Sequence, residues 1–107
     1  MSTPTRRQQL EAMLADDPDD EFLRYALAME FVSEGNPEAA VRHLRDLIAL
    51  NPAKPYVPAY LMAGQALLKI GRTTDAIALL REGVTAAEQQ GNLHAAGEMQ
   101  GLLDSVA

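Results

Sequence analysis

The sequence predicts an all-α protein, a helical repeat of about six helices, on three observations. Hydrophobic residues make up 48% of the chain, yet only three Tyr and two Phe are aromatic and Trp and Cys are absent, so Leu, Ala, Val, Ile and Met must form the core. Ala, Leu and Met are strong helix formers. The stretch from Arg24 to Pro52 recurs 36 residues further on, pairing Leu27 with Ala63, Ala28 with Gly64, Phe31 with Leu67, Val32 with Leu68, Gly35 with Gly71, Ala40 with Ala76 and Leu44 with Leu80. Helix stop and start residues, Gly35-Asn36-Pro37, Asn51-Pro52, Gly71 and Gly91-Asn92, fall at helix-length intervals. A chain of 107 residues is one domain, able to bury about two thirds of the surface its unfolded form exposes.

Period and residue types together resemble the tetratricopeptide repeat, a helix-turn-helix unit of about 34 residues with a small residue in its first helix and A-x3-F…P in its second. Ala28, Phe31, Ala40, Leu44 and Pro52 fill the pattern in the first copy, and Tyr60, Gly64, Leu67, Ala76 and Leu80 in the second. The resemblance implies a right-handed α-solenoid of antiparallel helix pairs. It divides the chain into an N-terminal half-repeat helix (1–17), repeat one (18–52), repeat two (53–90) and a C-terminal capping helix (91–107).

Thr5 to Ala15 has Leu10, Met13 and Leu14 at helical spacing and overlays the end of repeat one at an offset of 34, with Thr3 as the expected cap ahead of Pro4. The acidic run Asp16 to Glu21 lacks the Gly and distal Glu of a calcium loop, and reads instead as a helix start capped by Asp17 or Asp19. Glu21 to Glu34 is apolar on several faces, which suits a helix with neighbours on several sides. Gly35 supplies a left-handed turn, Asn36 a cap and Pro37 a first turn for Glu38 to Leu50, whose buried stripe is Ala40, Val41, Leu44, Leu47 and Ile48. The insertion Ala53 to Pro58 lengthens the inter-repeat loop before the helices Ala59 to Ile70 and Thr73 to Gln90. Gly64 and Gly83 read as close-packing positions, because neither stands in a phosphate-loop motif. In the last helix, Leu93 to Val106, Leu93, Ala96 and Gly97 overlay Tyr60, Ala63 and Gly64 at an offset of 33.

The net charge is −6, and the first 53 residues hold ten acids against five bases. Such a chain, without clustered Lys or Arg, is repelled by phosphate backbones and anionic lipid, so nucleic acid and membrane are not expected partners. No apolar run approaches the roughly 20 residues of a membrane span and the start lacks a signal h-region, which with the missing Cys gives a cytoplasmic expectation. Catalytic grammar is missing as well: Ser2, Ser33 and Ser105 lie outside any G-x-S-x-G elbow, His43 is read as a partly exposed structural residue, and His94 has no evident partner at i+4. Neither metal nor cofactor is expected, and the chain is read as a non-enzyme.

In tetratricopeptide proteins the first helices of successive repeats line a concave surface. The resemblance places Phe22, Tyr25, Met29, Val32 and Ser33, then Pro58, Leu61, Gln65, Leu68 and Lys69, on that surface. Tyr25 and Met29 occupy the positions where chaperone-binding members carry a Lys and Asn clamp, so a carboxylate clamp is not expected. A mainly apolar groove suits a peptide or amphipathic helix of a partner protein. The alternative is a self-associating module, a homodimer, with the groove covered by the terminal helix or by a second copy.

Overall fold

Start and stop signals set the architecture. The computed structural model describes residues 3–107, and among the described residues there are six helices and no strand: α1 (Arg6–Asp16), α2 (Glu21–Ser33), α3 (Pro37–Leu50), α4 (Val57–Lys69), α5 (Thr73–Gln89) and α6 (Leu93–Val106). Met1 and Ser2, the latter weighed above as a nucleophile, lie outside the described residues.

The cap of α1 is Thr5 and not Thr3. Its Oγ1 accepts from the Gln8 N–H at 3.1 Å while Gln8 Oε1 accepts from the Thr5 N–H at 2.9 Å. This reciprocal box satisfies two otherwise unpaired donors, more than a lone Thr ahead of Pro4 achieves. Helix α2 is capped by Asp20, whose Oδ1 accepts from the Leu23 N–H at 2.9 Å, rather than by Asp17 or Asp19. Asp20 directly precedes the first helical residue, where a side-chain oxygen reaches the N–H three positions on, while Asp17 and Asp19 stand further out. Asn36 and Asn92 cap α3 and α6 as expected, at 3.2 and 3.1 Å.

Three turns are built alike. Gly35, Gly71 and Gly91 have φ of 75°, 79° and 72°, and the residue after each donates to the carbonyl five positions back, at 2.9, 2.9 and 2.8 Å for Asn36, Arg72 and Asn92. Only glycine enters this region at no cost, and the bonds satisfy carbonyls that the helix end would leave open. The same residue then begins the next helix, so the helices must turn back antiparallel. The α3–α4 loop is longer, and Gln90 Nε2 ties it to the end of α5 by donating to the Pro55 carbonyl at 2.7 Å.

Each helix packs on the next, and α4 also reaches α6, giving an elongated body of 50 × 29 × 19 Å. The core runs continuously from Ala28 to Leu103, with Leu44, Leu47, Leu67, Leu80 and Met99 fully enclosed. Each such side chain contributes roughly 1.5–3 kcal/mol by leaving water. Gly64 and Gly83 have the packing role assigned to them: a Cβ on Gly64 would lie 2.5 Å from Leu80 Cδ2, and one on Gly83 would lie 2.6 Å from Tyr60 Cβ.

The last helix corrects the 33-residue offset. At that offset Leu93, 73% exposed, would copy the buried Tyr60, whereas an offset of 36 sets the buried Ala96, Met99 and Leu103 on the buried Tyr60, Ala63 and Leu67. Asn92 likewise falls on Tyr56, the cap position of α4. The Ala-Gly dipeptide shared by 63–64 and 96–97 is a coincidence of type, and burial decides the register. Helix α1 is held least: only Leu10 is buried, beside ion pairs Arg6–Glu30 at 2.6 Å and Arg7–Glu34 at 3.1 Å.

Candidate functional site

Helices α2 and α4 lie at matching places in the two repeats, and α3 begins beside the end of α2 because the Gly35 turn is so short. Between them lies a depression of about 190 Å³ walled by Val32 of α2, Pro37 of α3, and Met62, Gln65, Ala66 and Lys69 of α4. Its wall is mostly apolar. No residue of α6 lines it.

Of the residues expected in a groove, Val32, Gln65 and Lys69 meet at this depression. Leu61, Leu68 and Tyr25 are half-buried and pack against the core, and Met29 is half-buried on α2 one turn before Val32. Phe22 stands apart at the start of α2, 69% exposed. Pro37, Met62 and Ala66 were missed. Met62 and Ala66 precede Gln65 and Lys69 by one helical turn, the i, i+3 spacing that puts them on one face. Pro37 had been credited only as a helix starter, although its ring is also an apolar wall.

At the other end of α2 and α4, the rings of Tyr25 and Tyr56 meet in a tilted contact with centroids 5.5 Å apart. Burial raises the Tyr25 hydroxyl pKa above its ordinary value, with Tyr56 adding to the shift. Burial also raises that of Tyr56, helped by the carboxylates of Glu21 and Asp20. The two groups thus remain neutral phenols at physiological pH. On α6 the 36-residue offset brings Gly97 and Gly101 to the positions of Leu61 and Gln65, and a Cβ on either glycine would have nothing within 4 Å.

Neither histidine sits in this region. His43 stacks on Phe31 with centroids 4.8 Å apart, and the Arg7 guanidinium carbon lies 5.3 Å from the same Phe31 ring, joining α1, α2 and α3. Burial lowers the His43 pKa, Asp46 and Glu11 oppose that shift, and Arg42 and Arg24 reinforce it. His94 does have a partner, since its Nε2 lies 2.9 Å from Glu98 Oε1, four residues on and one turn along an exposed face. The i+4 carboxylate was legible in the sequence and was overlooked. No group of three or more His, Asp or Glu that could hold a metal occurs among the described residues, and no helix there is long and apolar enough to cross a membrane.

A family model described as tetratricopeptide repeat matches residues 25–92, more than half of the chain. No curated protein matches the sequence. Among solved structures, the solution structure of a protein from Bordetella parapertussis is similar, with 28% identity and a TM-score of 0.81 over 97% of this chain and 89% of that one. The matched segment runs from within α2 to the end of α5 and the turn that follows it, and the structural likeness extends over α1 and α6 as well. By its 36-residue period, its helix pairs and this match, the chain belongs to the tetratricopeptide repeat family.

Proposed function

We propose that this protein is a non-catalytic interaction module that holds a peptide or an amphipathic helix of a partner protein against α2 and α4. Tetratricopeptide repeats in general bind other proteins and are typically scaffolds without catalytic activity. The observation that supports the reading is the depression bounded by Val32, Pro37, Met62 and Ala66, with Gln65 and Lys69 at its polar edge. At about 190 Å³ it is smaller than the roughly 300–1,000 Å³ of small-molecule sites, and its size suits one large apolar side chain of a longer ligand. Half-buried Met29 and Leu61 lie about one helical turn before Val32 and Gln65 on the same two helices, and methionine adapts its shape to what it meets.

The test uses peptides selected by display against the immobilised protein. Bound peptide should shift the amide resonances of Val32, Met62 and Ala66 and leave those of the outward Arg42, Arg45 and Arg81 in place. Met29→Lys should weaken capture about tenfold or more by setting a charge in an apolar site, while Arg45→Glu leaves it nearly unchanged. Because Met29 is only half-buried, the new ammonium can reach water and the variant should fold. A folded Met29→Lys variant that binds as tightly as the parent would defeat this reading.

Self-association is the second reading, favoured by Leu93 of α6 and Met13 of α1, 73% and 47% exposed near opposite ends of the chain. Sedimentation over a range of concentrations tests it. A monomer of 11.6 kDa at high concentration would rule it out.

A further inference from the structure

The charge around the groove selects the kind of segment that fits it. At the end opposite the apolar depression, a second hollow of about 260 Å³ is lined by Glu21, Lys54, Pro55, Tyr56 and Pro58, among others. Phe22, the next residue along the chain from Glu21, is 69% exposed. Asp19 and Glu21 also share an adjoining hollow with Leu50 and Asn51.

Carboxylates dominate this end. Asp17, Asp19, Asp20 and Glu21 stand there against Arg24 and Lys54. Of these, Asp20 accepts from the Leu23 N–H as the α2 cap, and Arg24 is folded back, its Nε donating to the Pro18 carbonyl at 2.6 Å. Glu21 Oε2 is out of contact with water and has no hydrogen-bond donor. Glu21 as a whole is only half-buried and lines both hollows, so a donor that enters them meets its side chain. The Tyr56 ring, in contact with Tyr25, offers an aromatic face in the same hollow, and aromatic faces attract cations. At the other end of the groove Lys69 is the cation, and its charge is partly offset by the negative end of the α4 dipole, since it lies in the last turn.

Resting on the groove reading above, we infer that the occupant is a basic amphipathic segment of a partner protein, with an apolar side chain in the Val32–Met62 depression and an arginine or lysine between Glu21 and Tyr56. The spacing follows from α4. Along α4 the second hollow reaches as far as Pro58 and the depression runs from Met62 to Lys69, a separation of about 6 to 16 Å at 1.5 Å per residue. Two turns of a bound helix fall within that range, so the anchor and the cation stand about seven positions apart. A guanidinium matches better than an ammonium, because it can donate to the Glu21 carboxylate while lying flat on the Tyr56 ring.

The experiment uses the full chain and a designed helical peptide of about 16 residues, with Leu as anchor and Arg two turns away, alongside a twin with Glu in place of that Arg. Titration calorimetry at low ionic strength should show the Arg peptide binding about tenfold tighter or more. The advantage should shrink in roughly 0.5 M salt, where exposed charges are screened. Glu21→Gln should remove most of the discrimination while leaving the Glu twin's affinity unchanged or raised. Equal binding of the twins, or discrimination that survives Glu21→Gln, would overturn the basic-segment inference and leave the groove reading standing. Failure of both peptides to bind, with the protein folded, would count against both.

Discussion

Glycines that look alike in the sequence are expected to respond oppositely to the same substitution. Replacing a helical Gly by Ala gains about 1 kcal/mol of intrinsic helix stability wherever the new methyl group has room. Gly97 has that room, with nothing within 4 Å of its Cβ position, so Gly97→Ala should stabilise the fold by about 0.5–1 kcal/mol. At Gly83 the new Cβ would meet Met99 Sδ at 2.5 Å and Tyr60 Cβ and Cγ at 2.6 and 2.9 Å. The Met99 sulfur can swing aside. Tyr60 Cβ cannot, because it is fixed to the α4 backbone, so α5 must move away from α4. That overpacking costs about 1–3 kcal/mol, and after the helix gain the net change lies between about zero and 2 kcal/mol of destabilisation. Urea titration of both variants, with the m-value checked for constancy, measures the difference. It should be about 1–3 kcal/mol, or several degrees in the melting temperature of a domain this size. If Gly83→Ala proved as stabilising as Gly97→Ala, the close approach of α4 and α5 described here would be wrong.

Ala76, fully buried where α5 packs, should likewise reject a larger side chain, and Ala76→Leu should lower stability by roughly 1–3 kcal/mol in the same titration. Gly71→Val should also destabilise, measurably by thermal melting, because a β-branched residue is strained at a φ of 79°. His43 is held neutral by burial against Phe31, so the unfolded chain takes up a proton that the folded one resists; this contribution to stability falls as pH drops below about 6.5 towards the lowered folded value. Comparing urea stability between about pH 7 and pH 5 with that of His43→Phe checks this, since the variant should lose that part of the pH slope. Leu10→Ala should release α1 without unfolding the rest: hydrogen exchange should quicken across Arg6 to Asp16 while α4 and α5 stay protected, because Leu10 is the buried anchor of that helix.

The sequence alone determined the helices and the family, since both rest on local chemistry that repeats. A left-handed glycine, an Asn cap and a proline one residue on end one helix and begin the next wherever they occur, and the match of Ala28 with Gly64 and Ala40 with Ala76 reports where helices touch. Local chemistry was ambiguous where several capping residues stood in a row. Thr3 and Thr5, or Asp17, Asp19 and Asp20, are alike in type, and the choice fell to the residue that stands directly before the first helical turn and reaches its third N–H. The register of α6 was beyond the sequence for a related reason: a shared Ala-Gly pair suggested one offset, and the burial of Met99 under Gly83 imposed another. The candidate site shows the same division. Val32, Gln65 and Lys69 could be named from their place in the repeat, but a depression has walls from three helices, and Pro37 joins it only because the Gly35 turn folds α3 back beside α2. The meeting of Tyr56 with Tyr25 and with the carboxylate end of α2 was likewise decided in space, because a loop residue takes its neighbours from the path of the chain and not from a period.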